Sequence, residues 1–354
     1  MTSEESNRQI PSDDAKNPAL WGWPTLLSLV ITVAAFVLMA SYVDVASLWR
    51  HVLASDIRLL FLAALAHYAT YPVRGARWRK ALKQVDTPCR TGRFGLLVFF
   101  YTFVDNVVPA KLGDVYAAHL ARINCGIRRS TALGSIVFLR MVDSWVVLFL
   151  AAASSWVLFA ASFPESVTWA LIAAFAVAVI ASAIIVFFFL LKHAAPSWMP
   201  ESIRQRINAF QTGMLPNRGE TIRILFLTLV IWALESIWIF LLVRAFKVNV
   251  NASEAVFLTM IPVIATAFPV TPSGAGAVEL TLFSCLRLVG IASPLAIALT
   301  VVNRFLDYWL HIFLGMIVWL VREKIGLHTW RTRPASGDRR TTAFASTVKS
   351  EKIP

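Results

Sequence analysis

Charge is scarce in this sequence. Asp, Glu, Lys and Arg make up 15% of its 354 residues, where soluble domains carry about a quarter. Hydrophobic residues reach 58% and mean hydropathy is +0.66. An ordinary water-soluble fold is excluded, and the chain reads as an integral membrane protein. Catalytic signatures are missing as well. The histidines (His51, His67, His119, His193, His311 and His328) form no HExxH or other metal spacing, and there is no GxSxG, P-loop or full GxGxxG. No cofactor or metal is expected, and the lone histidines read as structural. Cys89, Cys125 and Cys285 are an odd number without a CxxC. They read as reduced, small apolar residues rather than ligands or bridges. Helical spans take most of the length, which leaves no room for a soluble catalytic domain of ordinary size.

The charge that is present is mostly positive, at a net +13. Nucleic acid is not the partner this implies. The Lys and Arg cluster in short loops and the tail, where they set topology and meet anionic headgroups. Residues 1–20 are polar and mixed in charge, hence expected to be a disordered N-terminus. The apolar run after them is longer than a secretory h-region and reads as an uncleaved first helix.

Runs long enough to cross the roughly 30 Å hydrocarbon layer occupy 22–42, 57–73, 130–160, 169–191, 222–246 and 294–321. Two more apolar regions, 94–124 and 254–290, are each interrupted by Pro, Gly and polar residues. In the first, Asp105, Asn106, Lys111 and Asp114 flank Pro109 and Gly113. Charge at bilayer depth is costly and Pro removes a helix hydrogen bond, so such a stretch needs protein or a wet cavity around it. Basic residues flank that region on both sides: Arg74, Arg77, Arg79, Lys80, Lys83, Arg90 and Arg93 before it, then Arg122, Arg128 and Arg129. A full crossing would put one cluster outside, against the positive-inside rule. The region is therefore expected to enter from the cytoplasm and turn back. The same rule leaves Phe163–Ser166 outside, segment 196–216 inside and both termini cytoplasmic. Within that segment Ile203, Ile207, Phe210 and Met214 follow helical spacing, as in a helix on the membrane surface or one packed on the bundle.

The second interrupted region repeats the first. Pro109 and Gly113 are followed by Asp114; Pro272, Gly274 and Gly276, after Pro269, are followed by Glu279. The next span then carries Arg140-x-x-Asp143 and Trp145 in one case, Arg304-x-x-Asp307 and Trp309 in the other. Pro109 lies 31 residues before Arg140, and Pro272 lies 32 before Arg304. Recurrence of all these features in one order points to duplication, and the charge rule makes the second copy enter from outside. The expected fold is an all-α polytopic membrane protein with about six full spans. Two re-entrant broken-helix hairpins complete an inverted-topology repeat, a transporter architecture. Repeat 1 covers 21–160, repeat 2 covers 161–322, and 323–354 form a basic cytoplasmic tail.

Arg and Asp three apart share a helix face. Each pair either neutralises itself as a structural clamp or offers its guanidinium, with Lys111, to a phosphate in a cavity. The helix starting near Asp114 can direct N–H groups at the same anion. Asp105, Asp114, Glu235 and Glu279 then balance charge or carry protons, though Glu235 alone in its span suits a structural role nearly as well. Arg74, Arg77 and Trp78, with Tyr71, close the second span and read as anchors at the cytoplasmic interface.

The motifs Arg77-Trp78-Arg79, Asn106-Val107-Val108-Pro109-Ala110-Lys111-Leu112-Gly113-Asp114, Arg140-x-x-Asp143 and Pro269-Val270-Thr271-Pro272-Ser273-Gly274-Ala275-Gly276-Ala277-Val278-Glu279 resemble the flippase-like transmembrane domain of the lysylphosphatidylglycerol synthase family. The likeness runs from about residue 22 to 322, with Ser273 where the family more often has Gly. Two-domain members carry an aminoacyltransferase domain after the membrane part, and this chain continues only into a short basic tail. The resemblance thus implies movement of an anionic, aminoacylated or isoprenoid-type lipid between leaflets of a bacterial inner membrane, without lysyl transfer. Two rivals remain: a non-transporting scaffold for a separately encoded lipid-biosynthesis enzyme, and a membrane transferase with Asp114 as its catalytic carboxylate.

Overall fold

The computed structural model describes residues 45–82, 85, 87, 89–107, 113–194, 200–214, 216–266 and 276–329. These residues are helical, with no strand among them. In chain order the helices are α1 Val45–Leu53, α2 Ile57–Ala81, α3 Thr91–Val107, α4 Gly113–Cys125, α5 Arg129–Phe159 and α6 Glu165–Ala194. They continue with α7 Glu201–Met214, α8 Arg218–Ala245, α9 Ala252–Ala265, α10 Ala277–Leu288 and α11 Ser293–Arg304. From α11 the chain runs through one π-helical turn, Phe305–Trp309, into α12 Leu310–Leu320.

Among the described residues, four helices are long and apolar enough to cross a membrane: Arg129–Phe159, Glu165–Phe187, Arg218–Ala245 and the continuous helix Ser293–Leu320. Their outer faces carry Phe149, Phe175, Phe226 and Phe313, all exposed. An apolar belt of that extent belongs against lipid. The run 22–42, expected as a first span, lies outside the described residues, as do Pro109, Lys111, Pro269, Pro272 and Gly274. The described helices flank the two interruptions: α3 ends at Val107 and α4 begins at Gly113, α9 ends at Ala265 and α10 begins at Ala277.

Local chemistry sets several ends. Asp56 caps α2, its Oδ1 accepting from the N–H groups of Arg58 and Leu59 at 2.9 and 3.4 Å, which fills orphan donors of the first turn. Asn251 and Glu254 cap α9 reciprocally, each side chain accepting the other's backbone N–H at 2.9 and 2.8 Å. Gly276 sits at φ 86°, a region that glycine enters without steric cost, and turns the chain into α10.

Two expectations are corrected. Cys89 and Cys125 form a disulfide with Cα atoms 5.4 Å apart, while Cys285 is a buried free thiol. Their separation of 36 residues gives no local cue. The hairpin brings the last residue of α4 back to the segment before α3, where Thr87 Oγ1 also donates to the Cys125 carbonyl at 2.9 Å. Second, the basic stretch after residue 73 is not a loop at its start, because α2 continues to Ala81. Arg77 and Trp78 are therefore buried at helix contacts, 5% and 2% exposed, rather than anchored at an interface. Of the two readings of segment 196–216, the described part is a helix packed on the bundle. Gly134 of α5 and Gly213 of α7 meet so closely that a Cβ on either would strike the other helix's backbone, at the Phe210 and Thr131 carbonyls.

Candidate functional site

Two hydrophobic clusters share α5. One, around Phe94, Phe100 and Leu120, joins α2, α3 and α4; the other, around Trp238, Phe257 and Leu299, joins α8 to α11. Between them lies a cavity of about 580 Å³, the size of a small-molecule site. Its wall is mixed. Val147, Ala174, Trp232, Trp238, Leu258 and Leu282 form the apolar part, and Asn106, Asp114, Arg140, Asp143, Arg304 and Asp307 project into the rest with His67, Arg74 and Glu235.

Most of these side chains were legible as candidates, but their partners are different. Neither Arg-x-x-Asp motif closes on itself. Arg140 of α5 reaches Asp114 at the start of α4, Nη2 to Oδ1 at 2.9 Å and Nε to Oδ2 at 3.3 Å. Arg304 of α11 reaches Glu279 at the start of α10, Nε to Oε1 at 2.7 Å, and its guanidinium lies 4.4 Å above the Tyr308 ring. The two arginines thus make one contact twice, each tying the helix after a break to the following span. The aspartates turn to α2. Arg77 donates to Asp143 through both terminal nitrogens, Nη2 to Oδ2 at 3.0 Å, a bidentate pair. It also donates to Thr228 Oγ1 at 3.0 Å, so one guanidinium links α2, α5 and α8. Trp78 donates to Ser135 Oγ on α5 at 3.0 Å.

Asp307 faces His67 of α2, Oδ1 to Nε2 at 3.4 Å. The other ring nitrogen of His67 lies 3.0 Å from Glu235 Oε2 on α8, and Glu235 Oε1 accepts from Arg74 Nη2 at 2.9 Å. Arg74, Glu235, His67 and Asp307 therefore form a row across the cavity, flanked by Trp238, whose ring centroid is 4.4 Å from that of His67. Among the described residues, three of the four carboxylates lining the cavity meet an arginine, Asp114 with Arg140, Asp143 with Arg77 and Glu235 with Arg74, while Asp307 faces His67; beside the cavity Glu279 meets Arg304.

The remaining candidates brace the breaks. Asp105 Oδ1 accepts from the Gly113 N–H at 3.1 Å, closing the gap between α3 and α4. Asn106 lines the cavity, and its carbonyl accepts from Tyr308 Oη at 3.0 Å. Glu279 accepts the Gly276 N–H at 2.7 Å besides holding Arg304. The π turn at Phe305–Trp309 holds Asp307 and Tyr308, and Tyr68 Oη donates to the Leu306 carbonyl within it at 3.1 Å. Single π turns inside α-helices often mark functional positions.

His67 and the two tryptophans were not singled out from sequence, and His67 was taken as structural. A signal was available: His67, Tyr71 and Arg74 recur at i, i+4 and i+7, a polar stripe along an otherwise apolar span.

Residues 25–315 match the profile of a family described as the lysylphosphatidylglycerol synthase TM region. The UPF0104 membrane protein MJ1078 of Methanocaldococcus jannaschii is 25% identical over 227 residues, 63% of this chain and 95% of that protein. UPF0104 membrane protein MJ1595 of the same organism is 22% identical over 322 residues, 84% of this chain and 94% of its own length. Glycosyltransferase AglD of Haloferax volcanii is 26% identical over 123 residues, which cover 35% of this chain and 20% of that protein. With the family profile spanning most of its length and several helices able to cross a bilayer, the chain is a multi-pass membrane protein that belongs to the lysylphosphatidylglycerol synthase TM region family.

Proposed function

We propose that this protein moves an anionic amphiphile, a phosphate-bearing lipid, between the leaflets of a membrane. One observation carries the reading: Arg74, Arg140 and Arg304 converge on a cavity between apolar walls, beside two interrupted helical segments. Guanidinium groups suit phosphate oxygens through paired donors, and the half-apolar lining suits the adjoining glycerol and chain. Asp114 and Glu279 hold Arg140 and Arg304; an entering phosphate competes for the same donors and loosens each tie between a broken segment and its span. On this reading the halves 21–160 and 161–322 are inverted repeats, both termini are cytoplasmic, and alternate loosening of the two ties opens the cavity to one leaflet and then the other. Asp105, Asn106, Lys111 and Asp143 serve the first half of the pathway; Glu235 and Asp307 serve the second. A bacterial inner membrane is the proposed setting, with membrane lipid as the partner.

The test is reconstitution in liposomes holding lipids labelled on the headgroup, including phosphatidylglycerol, an aminoacylated phosphatidylglycerol and an isoprenoid phosphate. Transbilayer exchange of at least one should rise over protein-free vesicles and fall in Arg140→Ala and Arg304→Ala. Unchanged exchange for all of them would sink the proposal.

A second reading has one observation of its own. The match to part of Glycosyltransferase AglD suits a membrane module that serves a lipid-modifying enzyme without transporting anything itself. It requires that folded Arg140→Ala and Arg304→Ala variants keep full cellular function; loss of function in either removes it.

A further inference from the structure

We propose that His67 is a proton-binding site whose occupancy is coupled to anion binding in the cavity. The inference rests on the lipid-transport reading for its coupling and on geometry alone for the proton.

His67 is 6% exposed and stands between two carboxylates. Nδ1 lies 3.0 Å from Glu235 Oε2 and Nε2 lies 3.4 Å from Asp307 Oδ1. A neutral imidazole has one N–H and one bare lone pair. If Nδ1 carries the hydrogen, the Nε2 lone pair faces a carboxylate oxygen; in the other tautomer Nδ1 does. Each neutral tautomer therefore sets one acceptor against another in a buried place, which is unfavourable. The Nε2 atom is in fact buried without a hydrogen-bond partner. One added proton resolves the conflict wherever it rests, on the second ring nitrogen or on either facing carboxylate.

The charges around the ring agree. On its own helix stand Arg74, Tyr68 and Tyr71; α8 contributes Glu235, the π turn Asp307, and α12 His311, which meets Tyr71 Oη at 3.0 Å. From α5, Asp143 lines the same cavity and acts on Arg74. Each of the other carboxylates lining the cavity has an arginine, so with His67 neutral Asp307 leaves that set one negative charge in excess. Proton uptake removes it. An anion entering the cavity is then opposed by one charge less, and by linkage the bound anion strengthens proton binding equally. The two carboxylates lie at opposite ring nitrogens, and no three such groups converge as metal ligands among the described residues. The ligand that fits is a proton.

Trp238, beside the ring, reports the event, because protonated imidazole quenches indole fluorescence. Purified full-length protein should show a fluorescence step between about pH 5 and pH 9, the range of a perturbed histidine, absent in His67→Gln and in Trp238→Phe. Asp307→Asn, which offers Nε2 an amide donor, should lower the midpoint by about one pH unit or more. A step that persists in His67→Gln, or no step in the wild type, overturns the proton site. For coupling, calorimetric titration of soluble dihexanoyl phosphatidylglycerol in buffers of different ionisation enthalpy should show uptake of about one proton per lipid near the midpoint. Affinity should fall about tenfold per pH unit above it, with both effects lost in His67→Gln. Binding without proton uptake overturns the coupling. No binding at any pH overturns the lipid reading itself, and the fluorescence step then still decides the proton site.

Discussion

Arg77 holds Asp143 by two hydrogen bonds and Thr228 by a third, with both charged side chains nearly out of contact with solvent. Removing one member of such a pair strands the other. The cost is about 3–5 kcal/mol, whereas replacing both by apolar groups of similar volume is often neutral. Arg77→Ala should therefore lower the unfolding temperature in detergent strongly, and Arg77→Met combined with Asp143→Leu should recover most of the loss. An equal loss in the double variant would mean that the residues contribute independently, through Thr228 or through packing. Arg140 is the contrasting case. It forms the equivalent kind of pair with Asp114 but its side chain is 55% exposed. Arg140→Ala should shift the same transition by about 1 kcal/mol or less while abolishing lipid exchange. That separation of stability from activity distinguishes a cavity residue from a clamp.

At the level of elements, α5 and α7 approach through Gly134 and Gly213, each filling the space a Cβ would need against the other's backbone. Backbone does not move aside as a flexible side chain does, so Gly134→Ala or Gly213→Ala should cost the upper part of the roughly 1–3 kcal/mol typical of overpacking. Either variant should separate α7 from the bundle, read as accelerated amide exchange across Glu201–Met214. Exchange equal to wild type would show that the contact is slack. This contact illustrates what sequence could not reveal. The all-helical character and the helices flanking the two interruptions were legible, because apolar length and Pro–Gly clusters are local signals. The repeated Arg-x-x-Asp motif pointed to Arg140 and Arg304, both of which line the cavity. Their mates were not legible: residues three apart on a helix look like natural partners, yet Asp114 and Glu279 lie across a break and take both arginines. Arg77 and Trp78 were misplaced because a basic stretch reads as a loop until the helix is seen to run through it. His67 gained its role only when folding brought Glu235, 168 residues away, to its ring.

For the whole molecule, the inverted-repeat reading makes a statement about sides of the membrane that no single contact can carry. If the first hairpin enters and leaves on one side, positions just before α3 and just after α4 share a compartment. The disulfide and the Thr87 bond already hold those two ends together. Positions before α9 and after α10 must then share the opposite compartment. Gly92, Arg128, Ala252 and Ala292 are exposed, one at each of these four ends; the labelling background carries Cys89→Ser and Cys125→Ser, because their bridge is open to reduction on a cytoplasmic face, and Cys285 is buried. Single cysteines at these positions should divide cleanly with a membrane-impermeant maleimide. Ala252→Cys and Ala292→Cys should react in intact cells, and Gly92→Cys and Arg128→Cys only after permeabilisation. Reaction of Gly92→Cys and Arg128→Cys from opposite sides would make α3 and α4 a full crossing and end the inverted arrangement. Four positions labelled from one side would make the repeats parallel, and alternating access through two opposed breaks would then lose its structural basis. Charge leans the same way: the ends assigned to the cytoplasm carry Arg90, Arg93, Arg128 and Arg129, against Arg244, Lys247 and Arg287 near the other two.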